Sequence, residues 1–321
     1  MKFKFDWFMW GMLAAVGLAW VAPEPGAAGG WMHPELLNNL GVALVFFLNG
    51  VTLSFADLRA GTLRWPVHVV VQVSVFLIFP LVGLALLWLT HRWLPGGLED
   101  GFFYLCVLPS TVSSSVALTT AARGNVPAAV FNATLSSLLG VFLTPVWVSW
   151  RLHAGGGEAH LGGVILDLVL WLLLPLMLGQ VSRLFLADWS KRNRRLLYYV
   201  DRLTILLIIY TSFCDSVKAG IWNGSGIVEL AAALFGCALL FAILMLIVRE
   251  ICRALKFPVA DQITAMFCGS KKSIAQGVPM GRLIFGASPQ LSVVLLPLMI
   301  YHPLQLLICS VLAERWARRT D

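Results

Sequence analysis

The chain has 321 residues, 59% of them hydrophobic and only 12% charged, against roughly 45–50% apolar and 25% charged in soluble domains. With a mean hydropathy of +0.84, this is not the composition of an ordinary soluble enzyme or binding module; it reads as an all-α polytopic membrane protein whose constant partner is the lipid bilayer. The net charge of +7 belongs to basic loops held on the cytoplasmic side of a membrane, so no nucleic-acid partner is expected.

A membrane-crossing helix takes about 20 mostly apolar residues. On that basis ten spans are predicted, at roughly 6–23, 37–55, 66–90, 101–122, 126–149, 162–186, 198–217, 226–249, 259–284 and 290–313. The first apolar run follows Met1-Lys-Phe-Lys and imitates a signal peptide, but no A-x-A site ends it near Val21, so it reads as a span. The second carries Asn49 beside Gly50, a small-residue pair suited to a tight helix contact. The third carries Gln72, a mid-membrane amide that should face protein. The fourth is interrupted by Leu108-Pro-Ser-Thr-Val-Ser-Ser-Ser-Val-Ala117, and the fifth adds Asn132, Thr134, Ser136 and Ser137. The ninth is interrupted by Met266-Phe-Cys-Gly-Ser-Lys-Lys-Ser-Ile-Ala-Gln-Gly-Val-Pro-Met-Gly-Arg282, where Gly269, Gly277, Pro279 and Gly281 surround two lysines. The tenth holds His302-Pro303, which is expected to break its helix.

Ten spans with an inner N-terminus put most Lys and Arg on one side, including Lys191, Arg192, Arg194, Arg195, Arg249, Arg253, Arg315 and Arg318. They leave only Arg92, Arg151, Lys218 and Arg282 on the other. That asymmetry of about four to one fits the positive-inside rule and predicts both termini in the cytoplasm, with a bacterial inner membrane as the location. The spans fall into two halves, 1–155 and 156–321, each ending in a broken span and its companion. With five spans each, the second half must be inverted relative to the first, and matching broken segments in two halves point to a binding site. Trp7, Trp10, Trp20, Trp31, Trp65 and Trp88 sit at span ends, as interfacial belts do.

The chemistry should lie in the two breaks. Ser110, Thr111, Ser113, Ser114 and Ser115 follow a proline closely, and hydroxyls with unpaired backbone carbonyls are oxygen ligands suited to Na⁺ or to the polar part of a substrate. The bland alternative is that such serines bond back to their own helix. Asn132 and Ser136, four apart, share a helix face, and the opposing serines are the expected partners of the Asn132 amide. Lys271 and Lys272 project about 100° apart on a helix, so at least one should point inward, with Lys272 preferred. A buried ammonium there is a candidate counter-charge or proton carrier. Asp215 and Glu229 lie near span ends and are expected to reach water; Asp261 opens the ninth span, where a helix N-terminus favours a carboxylate. Six cysteines in or beside apolar runs lack CxxC spacing, and His33, His91, His153 and His160 show no metal spacing. No P-loop or GxSxG motif appears, so no enzymatic activity, metal site or organic cofactor is expected.

Several stretches together carry a family resemblance. They are the 108–117 segment, Arg123-Gly-Asn-Val126, Phe131-Asn132, Leu143-Thr-Pro145, Asn49-Gly-Val-Thr-Leu53, Lys272-Ser-Ile-Ala-Gln-Gly-Val-Pro-Met280 and Leu296-Pro-Leu-Met-Ile-Tyr-His-Pro303. Over essentially its whole length the chain resembles the bile acid:sodium symporter family, in its sodium/bile acid cotransporter 7-like branch. The resemblance implies ten transmembrane helices as two inverted five-helix repeats. Helices 1, 2, 6 and 7 would form a panel domain, and helices 3–5 and 8–10 a core domain in which helices four and nine unwind and cross. It also implies two sodium ions at the crossing, held by a serine-asparagine pair on helix four, hydroxyls on helix five, a glutamate and following residues on helix nine, and a glutamine on helix three. Here Ser114-Ser115 stand at the pair and Gln72 at the glutamine, but Ser270, Lys271 and Lys272 occupy the region of the glutamate.

The function expected is therefore secondary active transport of a small organic anion by alternating access. The expected binding residues are Gln72, Ser113, Ser114, Ser115, Asn132, Thr134, Ser136, Ser270, Lys271 and Lys272, with Na⁺ at Ser114, Ser115 and Asn132 as the coupling ion. The lysines leave open a proton- or lysine-dependent carrier without sodium. A non-transporting membrane regulator that keeps the carrier fold and engages anionic lipid or a partner through Lys191 to Arg195 is the alternative of another class.

Overall fold

The computed structural model describes residues 7–52, 64–90, 94, 96–154, 169–220, 226–286 and 288–319. Lys2, Lys4, Leu53, Arg59, His91, Arg92, the 155/156 boundary, His160, the start of the sixth span and the side chains of His153 and Glu229 lie outside what is described. Among the described residues every regular element is helical. In lipid a helix satisfies its own backbone groups, which an open strand edge does not.

The elements are α1 (Trp7–Val21), α2 (Pro34–Thr52), α3 (Trp65–Val73), a π turn (Ser74–Ile78) leading into α4 (Phe79–Thr90), α5 (Gly96–Val107), α6 (Ser113–Ala121) and α7 (Val126–Ala154). A second π turn (Val169–Leu173) leads into α8 (Leu174–Arg192), followed by α9 (Arg194–Lys218), α10 (Gly226–Ala254), α11 (Val259–Gly269), α12 (Ile274–Phe285) and α13 (Leu291–Ala317). Seven stretches are long and apolar enough to cross a membrane: Pro34–Thr52, Trp65–Thr90, Val126–Arg151, Leu170–Arg192, Arg194–Lys218, Leu230–Ala254 and Leu291–Ala317. Each coincides with an expected span. The first expected span is a 15-residue helix over its described part, and the fourth and ninth are helix pairs, α5 with α6 and α11 with α12.

The ninth-span break is narrower than its glycines and proline suggest. Only Ser270–Ser273 leave the helix, while Gly277, Pro279 and Gly281 lie inside α12. The tenth span corrects the sequence expectation: α13 runs unbroken through Pro297 and Pro303. A proline removes one N–H from the ladder, and neighbouring groups can take up the carbonyls this disturbs.

The chain packs as two compact units. The first comprises Met1–Leu53, Leu152–Gly226 and Ala275–Leu295. In it α2 lies along α8, and α1 and α2 both pack on α9. Gly50 and Gly179 meet backbone to backbone: a Cβ at Gly179 would strike the Phe47 carbonyl, and one at Gly50 the Leu176 carbonyl. Gln180 Nε2 donates to the Gly50 carbonyl at 2.7 Å, so the tight contact foreseen at Asn49-Gly50 is present. The second unit comprises Ser54–Arg151, Ile227–Ile274 and Leu296–Asp321. In it α4 packs on α5, and α11 packs on α3 and α6. Gly140 of α7 gives Pro109 its room, since a Cβ there would come 2.6 Å from the proline ring.

Candidate functional site

Both breaks lie in the second unit, and the fate of their backbone groups explains how they hold together. A helix end leaves carbonyls without intrahelical partners, and burial forces each to find another donor. At the end of α5 the Val107 carbonyl accepts from Thr144 Oγ1 (2.7 Å), Cys106 and Leu108 accept from Lys272 Nζ (2.7 Å each), and Pro109 accepts from Ser273 N (2.9 Å). At the end of α11 the Phe267 carbonyl accepts from Ser115 Oγ (3.3 Å), Cys268 from Ser110 Oγ (2.6 Å), and Ser270 from Tyr301 OH (2.7 Å). Gln305 brackets the Lys272 peptide, accepting from its N–H and donating to its carbonyl, both at 2.9 Å. The two breaks thus satisfy one another, with α7 and α13 supplying the remainder.

A third element contributes through a proline. At the first π turn Phe79 N–H reaches back five residues to the Ser74 carbonyl, and Pro80 has no N–H to give. The Val75 carbonyl therefore loses both its four-residue and its five-residue partner. Lys272 Nζ takes that place at 3.0 Å. The Phe76 carbonyl, whose four-residue partner would also be Pro80, accepts instead from Trp147 Nε1 at 3.1 Å.

Both lysines are fully buried, so the expectation that at least one points inward is exceeded. Lys272 Nζ has three carbonyl acceptors and sits 3.9 Å from the centre of the Phe79 ring, a favourable cation–π placement. Lys271 Nζ donates to the Ser114 carbonyl at 3.0 Å and lies 5.3 Å from the Phe267 ring centre. Neither lysine forms an ion pair with a carboxylate among the described residues. An ammonium carries three donors; those of Lys272 are spent on carbonyls, whereas Lys271 has one acceptor among the described residues.

The predicted hydroxyls divide. Ser115 is buried, Ser114 half-buried and Ser113 exposed. Thr111 Oγ1 links Ser114 Oγ (2.7 Å) and Ser115 Oγ (3.0 Å). Ser136 Oγ accepts from Ser110 N at 2.9 Å, Ser270 Oγ bonds back to Met266 at 2.6 Å, and Thr134 is buried on α7. Asn132 does not take the serines as its partners. Gln72 Nε2 donates to its carbonyl (3.1 Å) and its Oδ1 (3.2 Å), while Asn132 Nδ2 donates to Ala128 O and meets His68 Nδ1, both at 2.9 Å. Because an amide NH₂ only donates, His68 accepts at Nδ1 as the neutral Nε2–H tautomer. Gln72 Oε1 is buried with no donor among the described residues, an orphaned acceptor of the kind that calls for an explanation.

Sequence reasoning passed over His68, Gln305 and Tyr301, and signals for all three were present. His68 stands one helical turn before Gln72, Gln305 is a mid-span amide like Gln72, and Tyr301 is one turn before Gln305. Outside the breaks, Asp215 in the first unit corrects another expectation. It is buried instead of reaching water, accepts from Ala28 N at 2.6 Å and pairs with Arg282 at 3.8 Å. Asp261 is held in the first turn of α11, as a helix N-terminus favours, accepting from Asn125 Nδ2 at 2.7 Å.

The two buried lysines lie near the Thr111, Ser114 and Ser115 hydroxyls and have no carboxylate partner among the described residues, a combination of cations and donors suited to an anion. Among the described residues no cluster of His, Cys, Asp or Glu could hold a metal ion. Comparisons with known proteins agree with a membrane carrier. A model of the SBF-like CPA transporter family matches residues 6–318. The chain is 41% identical over 293 residues to YfeH of Escherichia coli, covering 89% of this chain and 86% of that protein. It is 32% identical over 315 residues to sodium/bile acid cotransporter 7 of Rattus norvegicus (96% and 91%), and 31% identical over 320 residues to the protein of that name in Danio rerio (96% and 92%). The chain belongs to the SBF-like CPA transporter family.

Proposed function

We propose that this protein is a secondary transporter that carries a small organic anion across the membrane by alternating access, using the meeting point of the two helix breaks as its binding site. The observation that carries this reading is the burial of Lys271 and Lys272 there without a carboxylate partner among the described residues. Two buried charges without a counter-ion among the described residues are costly unless a function retains them. Lys271 is the anion's counter-charge, with the Thr111, Ser114 and Ser115 hydroxyls as hydrogen-bond donors near it. Asn132, Thr134, Ser136 and Ser270 shape and support the site. The reading takes the chain as two inverted five-helix repeats, a panel domain of helices 1, 2, 6 and 7 beside a core domain of helices 3–5 and 8–10, and both termini in the cytoplasm. The division into two compact units is consistent with a carrier that works by moving one body against another.

Sodium is the coupling ion in this reading, as the name of the rat relative suggests, and the orphaned Gln72 Oε1 is a hard-oxygen ligand of the kind Na⁺ takes. One observation favours a second reading, in which a lysine replaces sodium and the protein is driven by protons: the Lys271 ammonium already sits on the Ser114 carbonyl.

The test is reconstitution. Purified protein is screened for stabilisation by carboxylate, sulfate and phosphate-bearing organic anions, and the hits are assayed for uptake into liposomes under Na⁺, K⁺ or pH gradients. Anion-dependent stabilisation that disappears in Lys271→Gln, with uptake following one of the gradients, is expected. The reading fails if no organic anion stabilises the protein or enters liposomes. It fails in favour of a regulator if Ser115→Ala and Asn132→Ala leave cellular function intact while charge reversal at Lys191 to Arg195 abolishes it.

A further inference from the structure

We infer that the carbonyls of Val75, Cys106 and Leu108, capped by the face of Phe79, form a monovalent-cation site that the protein fills with the ammonium of its own Lys272. A free ion is then neither bound nor released at this position. The three oxygens lie 3.0, 2.7 and 2.7 Å from Nζ and the ring centre 3.9 Å away. Three carbonyl acceptors match the three N–H groups of an ammonium; a neutral amine has two hydrogens and would aim its lone pair at the third oxygen. Every ligand is uncharged, which suits a single positive charge, since sites for divalent ions recruit carboxylates. Rings of backbone carbonyls are how channels strip and hold alkali cations, and an aromatic face adds attraction for a desolvated cation.

The site is built by the fold. Pro80 and the π turn release the Val75 carbonyl, and the end of α5 releases those of Cys106 and Leu108, so the oxygens exist whatever residue stands at 272. The tether is fixed as well: Gln305 holds the Lys272 peptide from both sides at 2.9 Å, with His302 Nδ1 3.2 Å behind it. Lys271 lacks such a cage, with one carbonyl at 3.0 Å. The two adjacent lysines therefore divide the work, one as a permanent ion and the other available to a ligand. The cage is present whether or not the protein moves a solute, and its test requires none.

The experiment follows thermal unfolding of the purified full-length protein in choline chloride and in equimolar NaCl, KCl or NH₄Cl, for wild type and Lys272→Ala. The wild-type midpoint in each salt is the reference, since a coupling ion bound elsewhere would raise the midpoint of both proteins alike. Lys272→Ala should unfold lower in choline and recover by about 2–4 °C or more in at least one of the three small cations, because a ligand that binds only the folded state stabilises it. A Lys272→Ala protein that responds to Na⁺, K⁺ and NH₄⁺ no more than wild type overturns the inference. If Lys272→Ala yields no folded protein, Lys272→Met, which keeps bulk and removes charge, decides: reduced stability or folded yield is expected, and wild-type stability overturns it. Transport could fail every assay above while this site opens on schedule, and the reverse, so the two readings are separately refutable.

Discussion

The two compact units each bury basic side chains, and they neutralise them differently. In the first, Arg282 lies 3.8 Å from Asp215, both almost wholly buried, and the carboxylate is held further by Ala28 N–H at 2.6 Å. In the second, Lys271 and Lys272 face carbonyl dipoles and aromatic rings. A buried charge with its opposite beside it is closed to further chemistry, and losing one partner strands the other. A buried charge answered only by dipoles keeps net positive potential, and an anion arriving there meets an attraction that water screens poorly. The backbone follows the same division. The first unit keeps α2 and α8 whole and presses Gly50 on Gly179; the second interrupts its helices and recruits side chains to the exposed carbonyls.

The largest effect should come from breaking the closed pair. Asp215→Ala removes the carboxylate paired with the buried Arg282 guanidinium and leaves Glu35 as the opposite charge still acting on it; the expected cost is about 3 kcal/mol in stability. The double variant Asp215→Leu with Arg282→Met should recover most of it, because an apolar pair of similar bulk need not be solvated. Thermal unfolding of both proteins measures this; equal instability of the single and double variants would mean that Asp215 acts through Ala28 alone.

Next comes the open charge. Lys271→Gln removes an ammonium with one carbonyl acceptor among the described residues, so the unfolding midpoint should fall little. Affinity for the anion should fall roughly hundredfold, within the ~2–5 kcal/mol range for losing one partner of a buried charge contact. Titration calorimetry with the best anion from the screen reads the affinity, and an unchanged value would move the binding role away from Lys271. The backbone contrast is sharpened by Gly179→Ala. Its methyl would meet the Phe47 carbonyl, a rigid neighbour, at an expected loss of about 1–3 kcal/mol with anion affinity retained in whatever protein stays folded.

How far this was legible from residues alone depends on how local each cause is. The break in the fourth span was readable because Pro109 and five hydroxyls stand together, and that in the ninth because two lysines interrupt an apolar run. Seven of the spans appear where the hydrophobic runs put them. The different duties of Lys271 and Lys272 were not readable, and the preference for Lys272 as the ligand-facing residue is reversed in the proposal above. That division depends on a carbonyl released by Pro80, 192 residues before Lys272 in the chain. Likewise Asn132 finds Gln72 and His68 instead of the serines because α3 carries both side chains one turn apart, toward α7. Ser113 drops out of the hydroxyl cluster because it is the first residue of α6, and the start of that helix decides which serines turn inward. Asp215 was misjudged as water-facing because its partner, Arg282, is distant in sequence and sits on another helix.

The smallest predicted effect separates the hydroxyls' structural duty from their binding duty. Ser115 Oγ donates to the Phe267 carbonyl at 3.3 Å and also meets Thr111 Oγ1 at 3.0 Å. The first bond is long for a hydroxyl donor, whose usual reach is about 2.7–2.8 Å, so its loss in Ser115→Ala should cost no more than about 1 kcal/mol of stability. The second bond belongs to a chain, Ser115 to Thr111 to Ser114, that ends on the residue whose carbonyl accepts from Lys271. If that chain hydrogen-bonds the anion, Ser115→Ala should weaken anion binding by a few-fold while Ser113→Ala, on an exposed side chain, leaves it unchanged. Parallel titrations of the two variants decide the point, since equal losses would show that the serines act through helix packing and equal neutrality would confine the anion to Lys271.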